Sequence, residues 1–445
     1  MHPRNSYRVP PDFRELAKTY PPLKPCLIFQ GDSVSIDFKN EVSQRRLTEA
    51  LLYRDFGIAL EIPLNRLLRN ILDRLNYVLW IQDIIQATQF LERSPIRGMD
   101  IGTGSSAIYP LLSCKLDPHW SFIATDVDAF SLQSARSNVE KNGLLERIQV
   151  FATSPDAPIF APLHADPKTS IAFTMCNPPF YSSREDVAAS AEAKEFEPSA
   201  VCTGADVEMI TPGGESVFVR RMVDESLQIG TRCWWYTSML GKMASLTEVI
   251  SSLQGHAINN YGVTEFVQGT TRRWAVVWSF GDVRLPDSIA RTTAPQLQSL
   301  MPPRNTLRQP FHALSQNPSR LAELLAAALA AVEGVRVVPL DMHMHTPNAG
   351  AAFTVSAVKN TWSRGARRRH KHAAESKGPA VPEPAAPGLV CRMQWILPDV
   401  SHGQEGSGTF LECQWVLGKD RQLFEGFASH ISRKVSEGVS ADPSD

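Results

Sequence analysis

No apolar run in the 445 residues approaches the roughly 20 that a membrane-spanning helix needs, and the N-terminus MHPRNSYRVPPDF carries no signal-like apolar core. A soluble protein is therefore expected. There is no CxxC pair, and the seven cysteines are scattered at 26, 114, 176, 202, 233, 391 and 413. That odd, unpatterned set argues against a zinc module or a disulfide framework and suits a reducing compartment. Net charge is also missing: 45 Lys and Arg oppose 46 Asp and Glu, a formal charge of −1. Any attraction to a polyanion must come from local basic patches. No repeat suggests a solenoid. What is present is a globular composition, 43% hydrophobic and 20% charged, in a chain long enough for two domains.

The patterning divides the chain. Residues 1–75 read as a basic, Pro-rich arm (Arg4, Arg8) followed by helices, with QRRLTEALLYRDFGIAL amphipathic and PLNRLLRNILDRLNYVLWIQDIIQAT apolar at helical spacing. Residues 76–281 alternate strands and helices. RGMDIGTGSS is a strand entering a Gly-rich turn, WSFIATDVD a strand ending in acids, and AFSLQSARSNVEKNGLLER a helix. IQVFA, IAFTMCNPPF, CWWYTSML and RRWAVVWSF follow as further strands, with ESVFVRRMVDESLQI a helix among them. This alternation predicts an α/β, doubly wound parallel sheet of Rossmann-like type. An acidic stretch over 182–213 reads as irregular. Residues 282–310 are Pro-rich and read as a linker. Residues 311–445 predict a small α+β domain in the order α-β-β-β-β-α. A polar, Pro-rich basic loop near 360–388, WSRGARRRHKHAAESKGPAVPEPAAPG, is expected to be disordered.

Two motifs carry chemistry. In DIGTG, Asp100, Gly102 and Gly104 sit after a strand and before a helix, where glycine lets a cofactor approach the backbone and helix N–H groups are free. That turn alone is shared by nicotinamide enzymes, flavoproteins and methyltransferases. Asp126 ends the next strand, placed to accept the ribose hydroxyls of a nucleoside cofactor. NPPF, Asn177, Pro178, Pro179 and Phe180, ends the fourth strand. The Asn177 side-chain oxygen and the Pro178 carbonyl can each accept one hydrogen of an –NH2 group, and Phe180 can stack on the ring that carries it. A conjugated amine is a poor nucleophile. Two acceptors pull it toward tetrahedral geometry and aim its lone pair at the methyl of a sulfonium. Such an arrangement is expected to suit methyl transfer to an exocyclic amine or amide, whether of RNA adenosine, DNA adenine or protein glutamine.

HPRNSY, PPDF, RLNYVLWIQD, DIGTGSSAIYPLL, ATDVD, CNPPF, MLGKMASL and RRWAVVWSF together resemble the methyltransferase-like protein 16 family, in consistent order across roughly residues 1–280. The resemblance implies a class I methyltransferase domain that uses S-adenosylmethionine to methylate adenosine N(6) in U6 small nuclear RNA. By motif, Arg74, Gly102, Ser106, Asp126 and Asn177 would contact the cofactor, and Pro178, Pro179 and Phe180 would hold the adenine. Arg4, Arg8, Arg272 and Arg273 would meet RNA phosphates. Asp126 stands where animal members carry Glu, and Ala157 near a position that is Thr there. The segment after NPPF is acidic (Glu185, Asp186, Glu192, Glu195, Glu197, Asp206, Glu208) where the family's is often basic, which suggests a cover for the site. The C-terminal order matches in outline the kinase-associated-1-like module of animal members.

In RGARRRHKH, Arg367, Arg368, Arg369 and Lys371 are candidate RNA contacts, although a solvated loop or a nuclear localisation signal fits the same residues. The alternating pair His343 and His345 lacks a third ligand, so no metal is expected. Trp234, Trp235, Trp274 and Trp278 read as core rather than a base platform. A monomeric, nuclear protein is expected, with a cytoplasmic presence left open. A methyltransferase fold that only binds RNA is the competing class, and the intact NPPF and DIGTG count against it.

Overall fold

The computed structural model describes residues 1–63, 66, 71–88, 95–192, 206–269, 271–311, 318–340, 349–366, 368, 387–397 and 409–440. The chain divides into two compact units. The first comprises Met1–Gly281 with Ile289–Pro302, and the second Asp282–Ser288 with Pro303–Asp445.

The first unit opens with a short helix, Phe13–Thr19, followed by a small antiparallel hairpin, β1 (Leu27–Gln30) and β2 (Ser33–Ile36), both inside the stretch read as an arm. A helix over Glu41–Phe56 is stopped by Gly57 in the left-handed region (φ 61°). The next helix, Ile71–Thr88, buries Tyr77, Val78, Trp80 and Ile81. The central sheet contains β3 (Ile96–Ile101), β4 (Trp120–Asp126), β5 (Ile148–Ala152) and β6 (Ile171–Cys176). It is completed by β7 (Cys233–Leu240), β8 (Tyr261–Gln268) and β9 (Thr271–Trp278). The spatial order is β5-β4-β3-β6-β7-β9-β8.

The first five of these strands are parallel, as the alternation predicted. The last two are not: β9 runs antiparallel to β7 and to β8, so the sheet is mixed. Strand β8 was not picked out in the sequence, because YGVTEFVQ has polar residues at positions where the hairpin with β9 faces outward. Strand β6 is buried along its whole length, as a central strand covered on both faces must be. Trp235, Trp274 and Trp278 are core, and Trp234 is half-buried. The acidic stretch is not wholly irregular, since Arg184–Glu192 and Asp206–Met209 are helical.

The second unit is an antiparallel five-stranded sheet in the order β10-β14-β13-β12-β11. Its strands are β10 (Thr306–Phe311), β11 (Val335–Pro339), β12 (Ala349–Ala357), β13 (Leu389–Ile396) and β14 (Thr409–Gly418). Helices Pro318–Ala330 and Arg421–Ser440 pack on each other and on the sheet around Trp395, Trp415, Phe424 and Phe427. The sequence order α-β-β-β-β-α thus lacks one strand. β10 lies in the residues read as a linker, and pairs with β14 from Thr306↔Gln414 to Phe311↔Thr409. Leu285 and Leu297, from the same Pro-rich stretch, are buried. A stretch that contributes core residues and a strand is not a free linker. The basic loop is likewise anchored at its start: Trp362 is buried and packs edge-on against Phe427 at 4.9 Å.

Candidate active site

The register of the parallel strands assembles the site. Ile101 stands beside Thr125 on one side and beside Cys176 on the other. The Gly-rich turn therefore leaves β3 next to Asp126 at the end of β4 and next to Asn177 at the end of β6. Strand order reverses between β3 and β6, which is where ligands settle in such sheets, at the carboxyl ends of the strands.

The turn is held by the N–H groups of Gly102 and Thr103, which both donate to the Thr125 carbonyl at 2.9 Å. Gly102 and Gly104 have φ of 71° and 63°, the region that favours glycine. Ala107 is left-handed as well (φ 47°) and caps the helix Ile108–Leu116, so the turn stores strain where the cofactor would lie. Asp126 accepts from the Gly104 N–H at 2.8 Å and the Asp128 N–H at 3.0 Å, and burial pushes its carboxyl above the usual range.

Asp100 is more extreme. It is buried, and burial raises its carboxyl to about 7. The Thr103 hydroxyl and the Arg74 guanidinium pull it downward, but neither closes a hydrogen bond of ordinary geometry. Arg74, from the helix Ile71–Thr88, lies over the Tyr109 ring at 5.4 Å. Its Nε, both Asp100 oxygens, Thr103 Oγ1 and Ser105 Oγ are buried without hydrogen-bond partners. Buried polar groups are rarely left unmet, so these mark a place for a polar ligand with both donors and acceptors. A nucleoside bearing a charged amino-acid tail fits that donor and acceptor set. Ser106 is buried beside them.

At NPPF, Asn177 and Pro179 are half-buried, and Pro178 and Phe180 are buried. Two features here were not legible in the sequence. The Tyr77 hydroxyl accepts the Cys176 N–H at 3.3 Å and sits 2.6 Å from Thr237 Oγ1, tying the helix Ile71–Thr88 to the end of β6. Glu215, 1% exposed, accepts from the Gly241 and Lys242 N–H groups at 2.7 Å each. Burial raises its carboxyl above the usual range. That pair fixes the turn after β7 against which Phe180 packs. A Cβ on Gly241 would stand 2.6 Å from Phe180 Cδ1.

The candidate RNA contacts scatter. The Arg273 guanidinium lies 5.5 Å from the Phe180 ring centroid, so this residue flanks NPPF. Arg272 pairs with Glu265 across the β8–β9 hairpin at 3.1 Å. Arg4 pairs with Asp83 at 2.6 Å and donates to the Leu79 carbonyl at 3.0 Å, so it pins the N-terminal segment to the helix Ile71–Thr88. Arg8 is exposed. Arg368 is exposed in the second unit, while Arg367, Arg369, Lys371, His343, His345, Glu195 and Glu197 lie outside the described residues. Among the described residues no His, Cys, Asp and Glu cluster could hold a metal ion.

A parallel sheet with a switch point would also admit a dinucleotide enzyme. The antiparallel β9 inserted between β7 and β8, with NPPF closing the fourth strand, instead defines a class I methyltransferase acting on –NH2. Comparison with known proteins narrows this further. The family model described as RNA methyltransferase matches residues 1–282, and the chain belongs to that family. It is 33% identical to RNA N(6)-adenosine-methyltransferase mettl16 of Danio rerio, over 99% of this chain and 98% of the relative. It is 32% identical to the U6 small nuclear RNA (adenine-(43)-N(6))-methyltransferase of Schizosaccharomyces pombe, over 90% and 95%. The catalytic domain of human METTL16 in complex with a MAT2A 3′UTR hairpin superposes with a TM-score of 0.57 at 39% identity, covering 63% of this chain and 98% of that one. The N-terminal domain of human METTL16 in complex with SAH gives 0.53 at 38% identity, covering 63% and 99%.

Proposed function

We propose that this protein transfers a methyl group from S-adenosylmethionine to N(6) of an adenosine in a structured RNA, with U6 small nuclear RNA as the substrate. The observation that carries the chemistry is the placement of Asn177 beside the Gly102–Gly104 turn, fixed by the Ile101↔Cys176 register. When bound, S-adenosylmethionine supplies a methyl activated by its sulfonium. The chain's own residues do the rest. The Asn177 side-chain oxygen and the Pro178 carbonyl accept the two N–H hydrogens and orient the nitrogen lone pair. Phe180 fixes the plane of the adenine, and Arg273 flanks that ring. The N–C bond forms as the S–C bond breaks, and the nitrogen sheds its proton to water. No general base is needed, so rate enhancement comes from alignment and from the polar groups facing the amine.

The substrate assignment is supported by the relatives named for U6 small nuclear RNA. The basic run Arg364–His372 supports a nuclear location. The test is transfer from labelled S-adenosylmethionine to U6 RNA by wild type and Asn177→Ala, with the product digested to nucleosides. N(6)-methyladenosine from wild type and none from the variant is the expected result. No transfer to U6, with tight RNA binding intact, would overturn the substrate.

A further inference from the structure

The acidic segment after NPPF is tied down where its described residues return to the site. At its C-terminal end the Tyr181 N–H donates to the Met209 carbonyl at 3.0 Å, and the Thr211 N–H donates to the Tyr181 carbonyl at 3.0 Å. These bonds, with the bridge Tyr181↔Ile210, splice Asp206–Thr211 onto the residue that follows Phe180. Arg184 and Asp206 form an ion pair between the two described parts of the segment. Tyr181, Met209 and Phe180 then pack as one small apolar cluster with Val187 and Ile210.

That splice aims one carboxylate inward. Glu208, half-buried, places Oε1 3.8 Å from where a Cβ on Gly104 would stand. Gly104 is the residue whose N–H binds Asp126, and the buried Asp100 lies at the start of the same turn. Three carboxylates from three separate elements thus surround one glycine turn. Asp100 is there with neither oxygen hydrogen-bonded, which is costly unless a ligand answers it.

We propose that Glu208 is a cofactor-binding residue that recognises the positively charged methionine end of S-adenosylmethionine. The inference rests on the cofactor assignment above and extends it to a residue outside the glycine and NPPF motifs. The methionine portion carries an ammonium and a sulfonium against a single carboxylate, so an anionic wall over the turn favours it. Because Glu208 rides on the segment spliced to Tyr181, the same element touches the cofactor side and the amine side of the site. A segment acidic at this point repels RNA phosphate but attracts the cofactor, which accounts for acids where a basic RNA contact would otherwise be useful.

The experiment is calorimetric titration of the full chain, without RNA, against S-adenosylmethionine and S-adenosylhomocysteine. Glu208→Gln is expected to weaken S-adenosylmethionine about tenfold, the size of one lost charge contact. Glu185→Gln, an exposed acid on the same segment, is expected to bind as wild type. An equal loss for S-adenosylhomocysteine assigns the contact to the ammonium, and a smaller loss assigns it to the sulfonium. Glu208→Asp, which keeps the charge and shortens its reach, should fall between wild type and Glu208→Gln. If Glu208→Gln binds within about twofold of wild type, the proposal is wrong. Wild type that binds neither compound would instead defeat the cofactor assignment.

Discussion

Gly241 is the position at which a single methyl group should separate catalysis from cofactor binding. An added Cβ would lie 2.6 Å from Phe180 Cδ1 and 2.9 Å from Cε1, with Glu215 Oε2 3.3 Å away on another side. Carbon atoms in contact prefer about 3.5–4.0 Å, so the ring must retreat by roughly 1 Å. It cannot do so freely, because Phe180 is 7% exposed and packed with Tyr181 and Met209. The backbone cannot absorb the change either, since Glu215 holds both the Gly241 and the Lys242 N–H groups. Overpacking of this kind costs about 1–3 kcal/mol in stability. A displacement of about 1 Å in a residue that sets the plane of the acceptor ring can cost on the order of 100-fold in rate. Gly241→Ala should therefore lose about 100-fold in kcat for adenosine methylation while binding S-adenosylmethionine normally, because the Gly102–Gly104 turn follows β3 and not β7. Methyl transfer under saturating cofactor and RNA, a calorimetric Kd and a thermal melt provide the three readouts. A folded Gly241→Ala protein with wild-type kcat would refute the assignment of Phe180 as the adenine platform.

Asp100 makes stability depend on pH in the cofactor-free protein. Its folded-state carboxyl is raised to about 7 by burial, so ionisation opposes folding. The stability contributed by neutral Asp100 is fully present below the ordinary carboxylate range near 4, and is lost as pH rises through about 7. Its loss amounts to roughly 4 kcal/mol across that window. Asp100→Asn should consequently raise the cofactor-free Tm more at about pH 8 than at about pH 5, yet weaken S-adenosylmethionine binding; equal Tm shifts at the two pH values would show that Asp100 is not strained when ionised. In the second unit, Arg364 and Arg433 line a groove of about 710 Å³ together with His430 and Trp362. Alanine at both should weaken RNA binding and reduce its salt dependence by about one unit of slope per phosphate contact removed, and an unchanged slope in a salt series would remove this groove from the RNA interface.

The parts of the site that were legible from the chain alone are those in which a short motif terminates a patterned strand. Asp100, Gly102, Asp126 and Asn177 each follow an apolar run, and in a parallel sheet the ends of such runs gather at one edge. Glu215 and Gly241 were not legible. They meet because β7 and the helix Gly214–Ile229 come together in space, and nothing in GGES or MLGK announces that one carboxylate will hold the other segment's N–H groups. Arg4 and Arg273 acquire neighbours that the sequence does not announce. As sequence they are two cations suited to phosphate, but one lies in an ion pair with Asp83 and the other lies over Phe180. The strand β10 was hidden because its residues alternate weakly and it sits among prolines; its pairing with β14 supplies the order that its own pattern does not.

What the sequence determined by itself was the local order of the motifs: a glycine turn after one strand, an acid at the end of the next and NPPF at the end of the fourth, each dictated by residue type at close range. The tertiary structure decided which groups surround them. Register brought Ile101 beside Cys176, β9 turned a parallel sheet into a mixed one, and Tyr181 drew an acidic helix over the turn. Those outcomes depend on pairings between segments far apart in the chain. Their energies come from burial and hydrogen bonds that no local window of sequence contains.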